Sequence, residues 1–394
     1  MFRVLIGVLL LPVAAFADGA LPDSLAIALP ADNPHEIFAG TNFGLLVSTD
    51  DGAHFDWVCE EAIGSGAYLF QLGPAPDDIL YALSLDGLSY STDDGCSWQH
   101  GQIPGELATD VFPAPTDAQR VFAIVQPPQG DASFITRHVY ESNDHGQTFT
   151  HALYGPDAGE LLTGIELARS APELWATLYQ YQPTEAFIAR SVDDGGTWST
   201  LDLGLAQIPR LLAVDPTDPG RVYLRLSLNA SVDALARWDD ATQALTMLKP
   251  LEDKMSAFVL RADGTVLVSQ LSGKTWSSHD GVTFELADSS SHLRALAERD
   301  GTLFALADNF GDGWAVGTSS DGKSWKHLFQ YGQIRGVRQC GNLAQTCAQP
   351  WIALQSKLGL GAKPKPTGCA CDSSNGAWLL AALLLVARLR HSAR

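Results

Sequence analysis

Acidic residues recur along the chain in a fixed local order, and they are the first candidates for metal chemistry. In the first copy, Ser48, Asp50, Gly52 and Phe55 occupy set positions of a short segment, which we call an aspartate turn. A calcium loop needs oxygen ligands at alternate positions and a bidentate carboxylate at its end. The aspartate turn ends instead in an aromatic residue, and no terminal Glu follows it. We therefore predict a structural turn, with no metal site and no cofactor.

Six clear copies of the aspartate turn share a Ser, an Asp, a Gly and a final aromatic residue. They comprise Ser48, Asp50, Gly52 and Phe55; Ser91, Asp93, Gly95 and Trp98; Ser142, Asp144, Gly146 and Phe149; Ser191, Asp193, Gly195 and Trp198; Ser278, Asp280, Gly281 and Phe284; and Ser319, Asp321, Gly322 and Trp325. The carboxylate can accept backbone N–H bonds, the Gly supplies a positive φ, and the ring can pack against a sheet. We predict that these residues build the fold rather than an active site.

The copies recur about every 45 residues, which is a spacing typical of repeat proteins. The interval between Ser191 and Ser278 spans two periods, and a degenerate copy at Ala236–Asp240 fills it. Each copy has short β-rich runs on both sides. Four short strands per repeat predict an all-β protein, a seven-bladed β-propeller of four-stranded antiparallel blades over residues 18–335.

The aspartate turn resembles the Asp box, also called the bacterial neuraminidase repeat. The chain is therefore similar to the Asp-box propellers of sialidases, sortilin-type receptors, xyloglucanases and photosystem II assembly factors. The resemblance covers most of the chain between its two ends. It implies that the aspartate turns join the third and fourth strands of each blade on one face, and that ligand sites lie on the opposite face.

Aromatic residues in long loops are the first candidates for ligand binding. Tyr179 and Tyr181 lie in one such loop and Phe310 in another. On a rigid scaffold, exposed rings suit carbohydrate stacking or contact with a protein. The loops 126–134 and 229–233 are further candidates. Because Phe310 takes a ligand position in a run that otherwise looks like a calcium loop, we predict a turn there.

Three arginines are candidates for binding an anion. Arg210, Arg294 and Arg335 occupy matching positions, which we predict to be the starts of innermost strands. Residues at such positions are expected to converge near the central channel. There, guanidinium groups could hold a carboxylate by bidentate hydrogen bonds.

A complete catalytic set is missing from the sequence. A sialidase-like site needs three clamping arginines, a Tyr nucleophile with its Glu, and an acid/base Asp, and a xyloglucanase-type site needs a cleft between two propellers. The motifs of serine hydrolases, zinc proteases and P-loop proteins do not occur. We therefore expect a non-catalytic binding or scaffold module for glycans or extracellular proteins. The alternative is a sialidase-like or other glycoside hydrolase acting on extracellular glycans.

The two ends of the chain predict export and attachment at the cell surface. Residues 1–17 combine a basic residue, a short apolar run and an A-x-A site, which is typical of a signal peptide. Residues 362–394 contain a Pro/Lys linker, Cys369 and Cys371, an apolar run and a basic tip. This order resembles the MYXO-CTERM sorting signal. The resemblance implies a sorting protease as partner, with Cys369 as the anchor and the protein anchored at the surface or outer membrane, or released.

The other cysteines predict disulfides in an oxidising compartment. Cys340 and Cys347 lie close together in residues 336–361, a closing segment predicted to form a strand or short helix, and we expect them to bond locally. Cys59 and Cys96 lie in neighbouring repeats and could link the first two blades. Their spacing does not fit a zinc site.

The charge balance excludes one class of partner. A formal net charge of −20 argues against nucleic-acid binding, which requires a basic face. It also disfavours adsorption to anionic lipid, so membrane contact is expected only through the C-terminal tail. We expect a monomer.

Overall fold

A computed structural model describes residues 21–105, 107–126, 137–156 and 159–360. The predicted signal peptide at 1–17 lies outside the described residues. So do the C-terminal segment 362–394, with Cys369 and Cys371, and most of the candidate loop 126–134. These features therefore stay predictions.

The described chain forms an all-β propeller, which confirms the predicted fold class. Seven four-stranded antiparallel sheets, the blades, follow one another in chain order. They are β1 Ser24–Ala28, β2 Ile37–Thr41, β3 Gly44–Ser48 and β4 Asp56–Val58; β5 Leu69–Leu72, β6 Leu80–Ser84, β7 Gly87–Ser91 and β8 Gln99–His100; β9 Leu107–Pro113, β10 Val121–Gln126, β11 His138–Ser142 and β12 His151–Tyr154; β13 Glu160–Leu167, β14 Leu174–Tyr181, β15 Thr184–Ser191 and β16 Ser199–Asp202; β17 Ile208–Val214, β18 Arg221–Ser227, β19 Asp233–Asp239 and β20 Ala244–Pro250; β21 Met255–Leu260, β22 Val266–Gln270, β23 Thr275–Ser278 and β24 Glu285–Asp288; and β25 Leu293–Arg299, β26 Thr302–Ala307, β27 Val316–Ser319 and β28 Lys326–Phe329.

The first strand of each blade lines the central channel. Within every sheet the strands are arranged in chain order, so the first strand is at one edge and the fourth at the other. First strands of neighbouring blades contact each other, and β1 contacts both β5 and β25. The contact between β1 and β25 closes the ring.

The hydrophobic core lies between neighbouring blades. Buried side chains of one sheet pack against those of the next, as Trp175 of the fourth blade does against Leu224 of the fifth. Complete burial of an aliphatic or aromatic side chain stabilises the fold by about 1.5–3 kcal/mol. Because each sheet is packed on both faces, its central strands are almost wholly apolar, as in β10, rather than alternating.

The aspartate turns join the third and fourth strands of their blades through local hydrogen bonds. In the first copy, Ser48 Oγ donates to Asp50 Oδ1 at 3.0 Å, Gly52 N donates to Ser48 Oγ at 2.9 Å, and His54 N donates to Asp50 Oδ1 at 2.9 Å. The positive φ of Gly52 lets the turn close. Phe55 is fully buried, so the turn also anchors its strand in the core.

Short helices complete the described chain. They are α1 Glu60–Ile63, α2 Asn309–Asp312, the 3₁₀-helix Tyr331–Gln333, α3 Leu343–Thr346 and α4 Ala348–Leu358. The run predicted as a turn around Phe310 contains the single-turn helix α2, whose N-terminus is capped by Asp308. No helix in the described part of the chain has both the length and the apolar character that crossing a membrane requires.

The closing segment, residues 336–360, packs on the outside of the first blade. Trp57 N donates to Gly336 O at 2.8 Å, and Arg338 N donates to Trp57 O at 2.9 Å, so the segment runs parallel to β4. The helix α4 then packs over the same strand, with the rings of Trp57 and Trp351 5.6 Å apart. The last described residues thus return to the first blade at the outer edge of the ring.

The predicted disulfide pairing was wrong, although all four cysteines are bonded. The structure joins Cys59 to Cys347 and Cys96 to Cys340, whereas we expected a local Cys340–Cys347 bond and considered a Cys59–Cys96 bond possible. The closing segment runs from the first blade at Trp57 to the second blade at Cys96, and it then returns to the first blade at Cys59. Each of its cysteines therefore meets a cysteine of a blade, and the helix α3 lies between Cys340 and Cys347.

Candidate functional site

The propeller has two different faces, defined by strand direction. On the front face, each first strand begins and the loops between second and third strands lie. On the back face are the turns between first and second strands and the aspartate turns. Because antiparallel strands alternate in direction, this assignment follows from the strand order.

A pocket of about 230 Å³ opens on the front face between the fourth and fifth blades. We call it the arginine pocket. Its lining comprises Arg137, Leu161, Thr163, Tyr179, Tyr181, Ile208, Pro209, Arg210, Arg225 and Ser227. The start of β13 and the start of β17 form its floor, and the ends of β14 and β18 form its sides. Rigid strands therefore position every side chain of the pocket except that of Arg137.

Three guanidinium groups give the arginine pocket a positive charge. Arg137 Nη1 donates to Leu162 O at 3.2 Å, and Arg225 Nε lies 4.0 Å from Asp233 Oδ2. Within the described chain, Arg210 forms no hydrogen bond or ion pair with another side chain. Burial, together with repulsion from Arg210, lowers the pKa of both Arg137 and Arg225. The described residues that line the pocket therefore carry more positive than negative charge.

Two tyrosines form one wall of the arginine pocket. The rings of Tyr179 and Tyr181 pack edge to face, with centroids 4.9 Å apart. Tyr179 is nearly buried, but Tyr181 is 58% exposed, so its ring is free to cover a ligand. An aromatic wall beside guanidinium groups suits a ligand that carries both an anionic group and an apolar surface.

Two carboxyl groups lie deeper, on the strands that line the channel. Burial raises the pKa of Asp110 on β9 to about 6, although the positive charge of Arg210 opposes part of this shift. Burial also raises the pKa of Glu166 on β13 to about 8. Glu166 Oε2 accepts a hydrogen bond from Val214 N at 2.8 Å, which ties the fourth blade to the fifth. The central channel below the arginine pocket therefore contains two carboxyl groups whose raised pKa values favour the protonated form.

The structure brings together half of the predicted binding residues. Arg210, Tyr179 and Tyr181 meet in the arginine pocket. Phe310 lies on α2, 51% exposed on the front face of the seventh blade. The loop 229–233 lies beside the pocket, since Asp233 faces Arg225.

The predicted convergence of three arginines was wrong. Arg294 does begin an innermost strand, but its guanidinium is paired with Asp23 at 2.9 Å and with Asp308 at 3.1 Å, where it joins the two ends of the ring. Arg335 is not in an innermost strand at all. After β28 the chain continues along the outer edge, and there Arg335 pairs with Asp56 at 2.6 Å.

Four residues of the site were missed by the sequence analysis. Arg137 and Arg225 line the arginine pocket, and Asp110 and Glu166 line the channel below it. Asp110 is the single charged residue of β9, and Glu166 and Arg225 each interrupt the apolar run of a strand whose first residue is also charged. That interruption of a buried strand is the signal that could have identified them.

Exposed apolar side chains occur at several other positions of the front face. Leu85 and Leu271 stand at the tips of loops between second and third strands, and Tyr68 precedes β5. Leu85 is 73% exposed. We call these three residues, with Tyr181 and Phe310, the apolar rim. These residues are available for contact with a partner on that face.

Comparison with known proteins shows similarity at the level of the fold. No protein-family model and no curated protein sequence matches the chain. Among solved structures, the GH74 enzyme of Niastella koreensis is 14% identical with a TM-score of 0.58, and the match covers 79% of this chain and 55% of that one. This chain therefore spans about half the length of that enzyme.

Proteins of another class share the fold over almost their whole length. YCF48 from Cyanidioschyzon merolae is 12% identical with a TM-score of 0.51, and the match covers 75% of this chain and 94% of that one. A structure of YCF48 bound to D1 peptide is 16% identical with a TM-score of 0.52, over 73% of this chain and 89% of that one. At these identities the chain is similar to both groups in being a β-propeller.

Proposed function

We propose that this protein is an exported, non-catalytic binding propeller that holds an acidic segment of an extracellular protein on its front face. The observation that carries the proposal is the arginine pocket. Three guanidinium groups meet there, and Arg210 has no carboxylate partner among the described residues. A ligand carboxylate placed between them would form charge-assisted hydrogen bonds in a partly dry site.

The apolar rim favours a protein over a glycan as the partner. Leu85 and Leu271 are aliphatic, whereas carbohydrate rings stack on aromatic faces. Tyr and Arg are the residues that most often dominate the energy of protein interfaces, and both line the arginine pocket. The YCF48 structures also support a protein partner, since one of them holds a peptide on a similar fold.

Export is supported by two observations of different kinds. Two disulfides hold the ring, and such bonds persist in oxidising compartments. Residues 1–17 match a signal peptide, and the tail resembles a sorting signal. We therefore propose display at the cell surface, with the tail as the attachment.

A selection from a phage-displayed peptide library, run in parallel with a glycan array, tests the proposed function. We expect enriched peptides to carry Asp or Glu beside apolar residues. A synthetic copy of the leading peptide should bind Arg210→Gln at least tenfold more weakly than the wild type. The matched control is Lys326→Gln, an exposed cation on β28, which should bind normally. Unchanged peptide binding by Arg210→Gln, or binding only on the glycan array, would reject the proposal.

A glycoside hydrolase is the second candidate, and the channel carboxyl groups favour it. Asp110 and Glu166 lie close enough for their charges to interact, and their raised pKa values suit a proton donor. The GH74 enzymes share the fold, but this chain matches only about half of one such enzyme. Fluorogenic glycosides provide the assay. Hydrolysis by the wild type that is abolished in Glu166→Gln would establish that the protein is a glycoside hydrolase. Absence of hydrolysis by the wild type would reject this candidate function.

A further inference from the structure

Arginines on the back face join neighbouring blades in a repeated arrangement. In the third blade, Arg120 pairs with Glu141 of its own blade and with Asp194 of the fourth. In the fourth blade, Arg190 pairs with Glu173 at 2.7 Å and with Asp240 of the fifth. Each arginine therefore has two carboxylates, one from each side of the junction.

The fifth blade departs from this arrangement. Strand register places Arg221 and Arg237 at the two positions that hold Glu173 and Arg190 in the fourth blade, since Val222 pairs with Trp238 as Leu174 pairs with Ser191. The carboxylate within the blade is thus replaced by a second arginine. Arg221 is satisfied elsewhere, by Asp215 at 3.4 Å and Asp218 at 3.3 Å.

Arg237 also lacks a carboxylate from the next blade. The aspartate turn of the sixth blade is one residue shorter than that of the fourth, and Gly281 faces the guanidinium. A Cβ atom on Gly281 would lie 3.0 Å from Arg237 Nη1. Among the described residues Arg237 forms no ion pair, and its buried Nε has no hydrogen-bond acceptor.

A cavity of about 200 Å³ opens at this position between the fifth and sixth blades. Arg221, Arg237, Arg261 and His279 line it, with the hydroxyl groups of Thr217 and Tyr223. We call it the junction cavity. Its volume accommodates a carboxylate, phosphate or sulfate group with a few further atoms.

The two acidic residues of the junction cavity are already engaged. Asp215 accepts hydrogen bonds from Thr217 and pairs with Arg221. Asp280 Oδ1 accepts from the backbone N–H groups of Val282 and Thr283 within its own turn. Arg261 is likewise paired, with Glu298 at 2.9 Å. Among the described residues, Arg237 is therefore the guanidinium of the cavity that has no carboxylate partner, and its buried Nε has no acceptor.

We propose that the junction cavity is a binding site for a compact oxyanion, which takes the place of the two carboxylates that Arg190 has and Arg237 lacks. The anion would accept hydrogen bonds from Arg237 and from the hydroxyl group of Tyr223. Because it would bridge two blades, its binding is linked to the stability of the folded ring. This site is separate from the arginine pocket, which opens on the other face.

Thermal unfolding in phosphate, sulfate or acetate, against chloride at equal ionic strength, tests this site. We expect one of the three oxyanions to raise the Tm of the wild-type protein above its value in chloride. In Arg237→Gln, the concentration of that anion needed for the same rise should increase about tenfold or more. Lys326→Gln, which removes an exposed cation outside both pockets, should respond as the wild type does. A response that is lost in Arg210→Gln but kept in Arg237→Gln would assign the anion to the arginine pocket and overturn the proposal.

A second variant places the missing carboxylate in the protein itself. Gly281→Asp puts an acidic group beside Arg237, and Asp tolerates a left-handed backbone at this kind of position, as Asp194 shows at φ 62°. We expect Gly281→Asp to lose the response to the oxyanion while keeping its Tm in chloride. An undiminished response in both variants, or no response of the wild type to any of the three anions, would overturn the proposal.

Discussion

Cys59 and Cys347 are 288 residues apart in the sequence, yet a disulfide joins them with their Cα atoms 5.5 Å apart. The bond fastens the closing segment to the first blade. Every blade is built from one continuous stretch of chain, so no strand is shared between the first and the last blade. Ring closure therefore depends on the contact of β1 with β25, on the Arg294–Asp23 pair and on the two disulfides.

Removing this disulfide should weaken the whole ring. The double variant Cys59→Ser with Cys347→Ser avoids a free thiol, and we expect it to lower the free energy of unfolding by about 2–5 kcal/mol, because the unfolded chain regains its freedom. Denaturant unfolding measures the change. Wild-type protein unfolded with a reductant present should move in the same direction. Equal midpoints for variant and wild type without reductant would contradict the role in closure.

Arg190 and Arg210 should differ in their effects on stability. Arg190→Gln leaves Glu173 and Asp240 without their cation at a blade junction, and we expect a loss of about 1–3 kcal/mol. Arg210→Gln breaks no ion pair within the part of the chain that the structure describes, and it should change stability by less than about 0.5 kcal/mol. Urea denaturation of the two variants compares them. Similar losses would mean that Arg210 has a structural partner.

Stability should fall with rising pH because of Glu166. Its folded pKa of about 8 lies above the unfolded value of 4.5, so the folded state holds a proton that the unfolded state releases. The contribution of this group is complete below about pH 4.5 and is lost as the pH rises through about 8.

The variant Glu166→Gln isolates this effect, since its amide oxygen can still accept the Val214 N–H bond. We expect it to exceed the wild type in stability by about 1–3 kcal/mol near pH 9, with little difference near pH 5. Unfolding by guanidinium chloride at both pH values supplies the measurement. A constant difference across the range would show that Glu166 ionises freely in the folded protein.

Two neighbouring acidic residues of the first aspartate turn, Asp50 and Asp51, should differ in their effect on stability. Asp50→Ala removes the acceptor for Ser48 Oγ and His54 N, and we expect a cost of about 1–2 kcal/mol. Asp51→Asn is the matched control, because Asp51 is exposed, pairs only with exposed His35, and has a left-handed backbone that Asn tolerates. Thermal unfolding of both variants tests this difference, and equal Tm values would contradict it.

The aspartate turns show why the fold was predictable. The bonds among Ser48, Asp50 and Gly52 span four residues, so residue type and order alone specify them. Repetition of that turn, with short apolar runs between copies, indicated four strands per repeat. The site was predicted only in part, because Arg210 and Tyr181 could be named as candidates but their neighbours Arg137 and Arg225 lie on other strands.

The sequence by itself determined the propeller, the number of its blades and the position of its turns, because these depend on hydrogen bonds and hydrophobic patterns local in the chain. Only the tertiary structure decided which cysteines bond, which arginines stay unpaired and which carboxyl groups are buried. Arg294 and Arg210 look alike in the sequence, but one pairs with Asp23 from the far end of the chain and the other forms no ion pair among the described residues. Such partners come from segments far apart in sequence, and the closed ring brings them together.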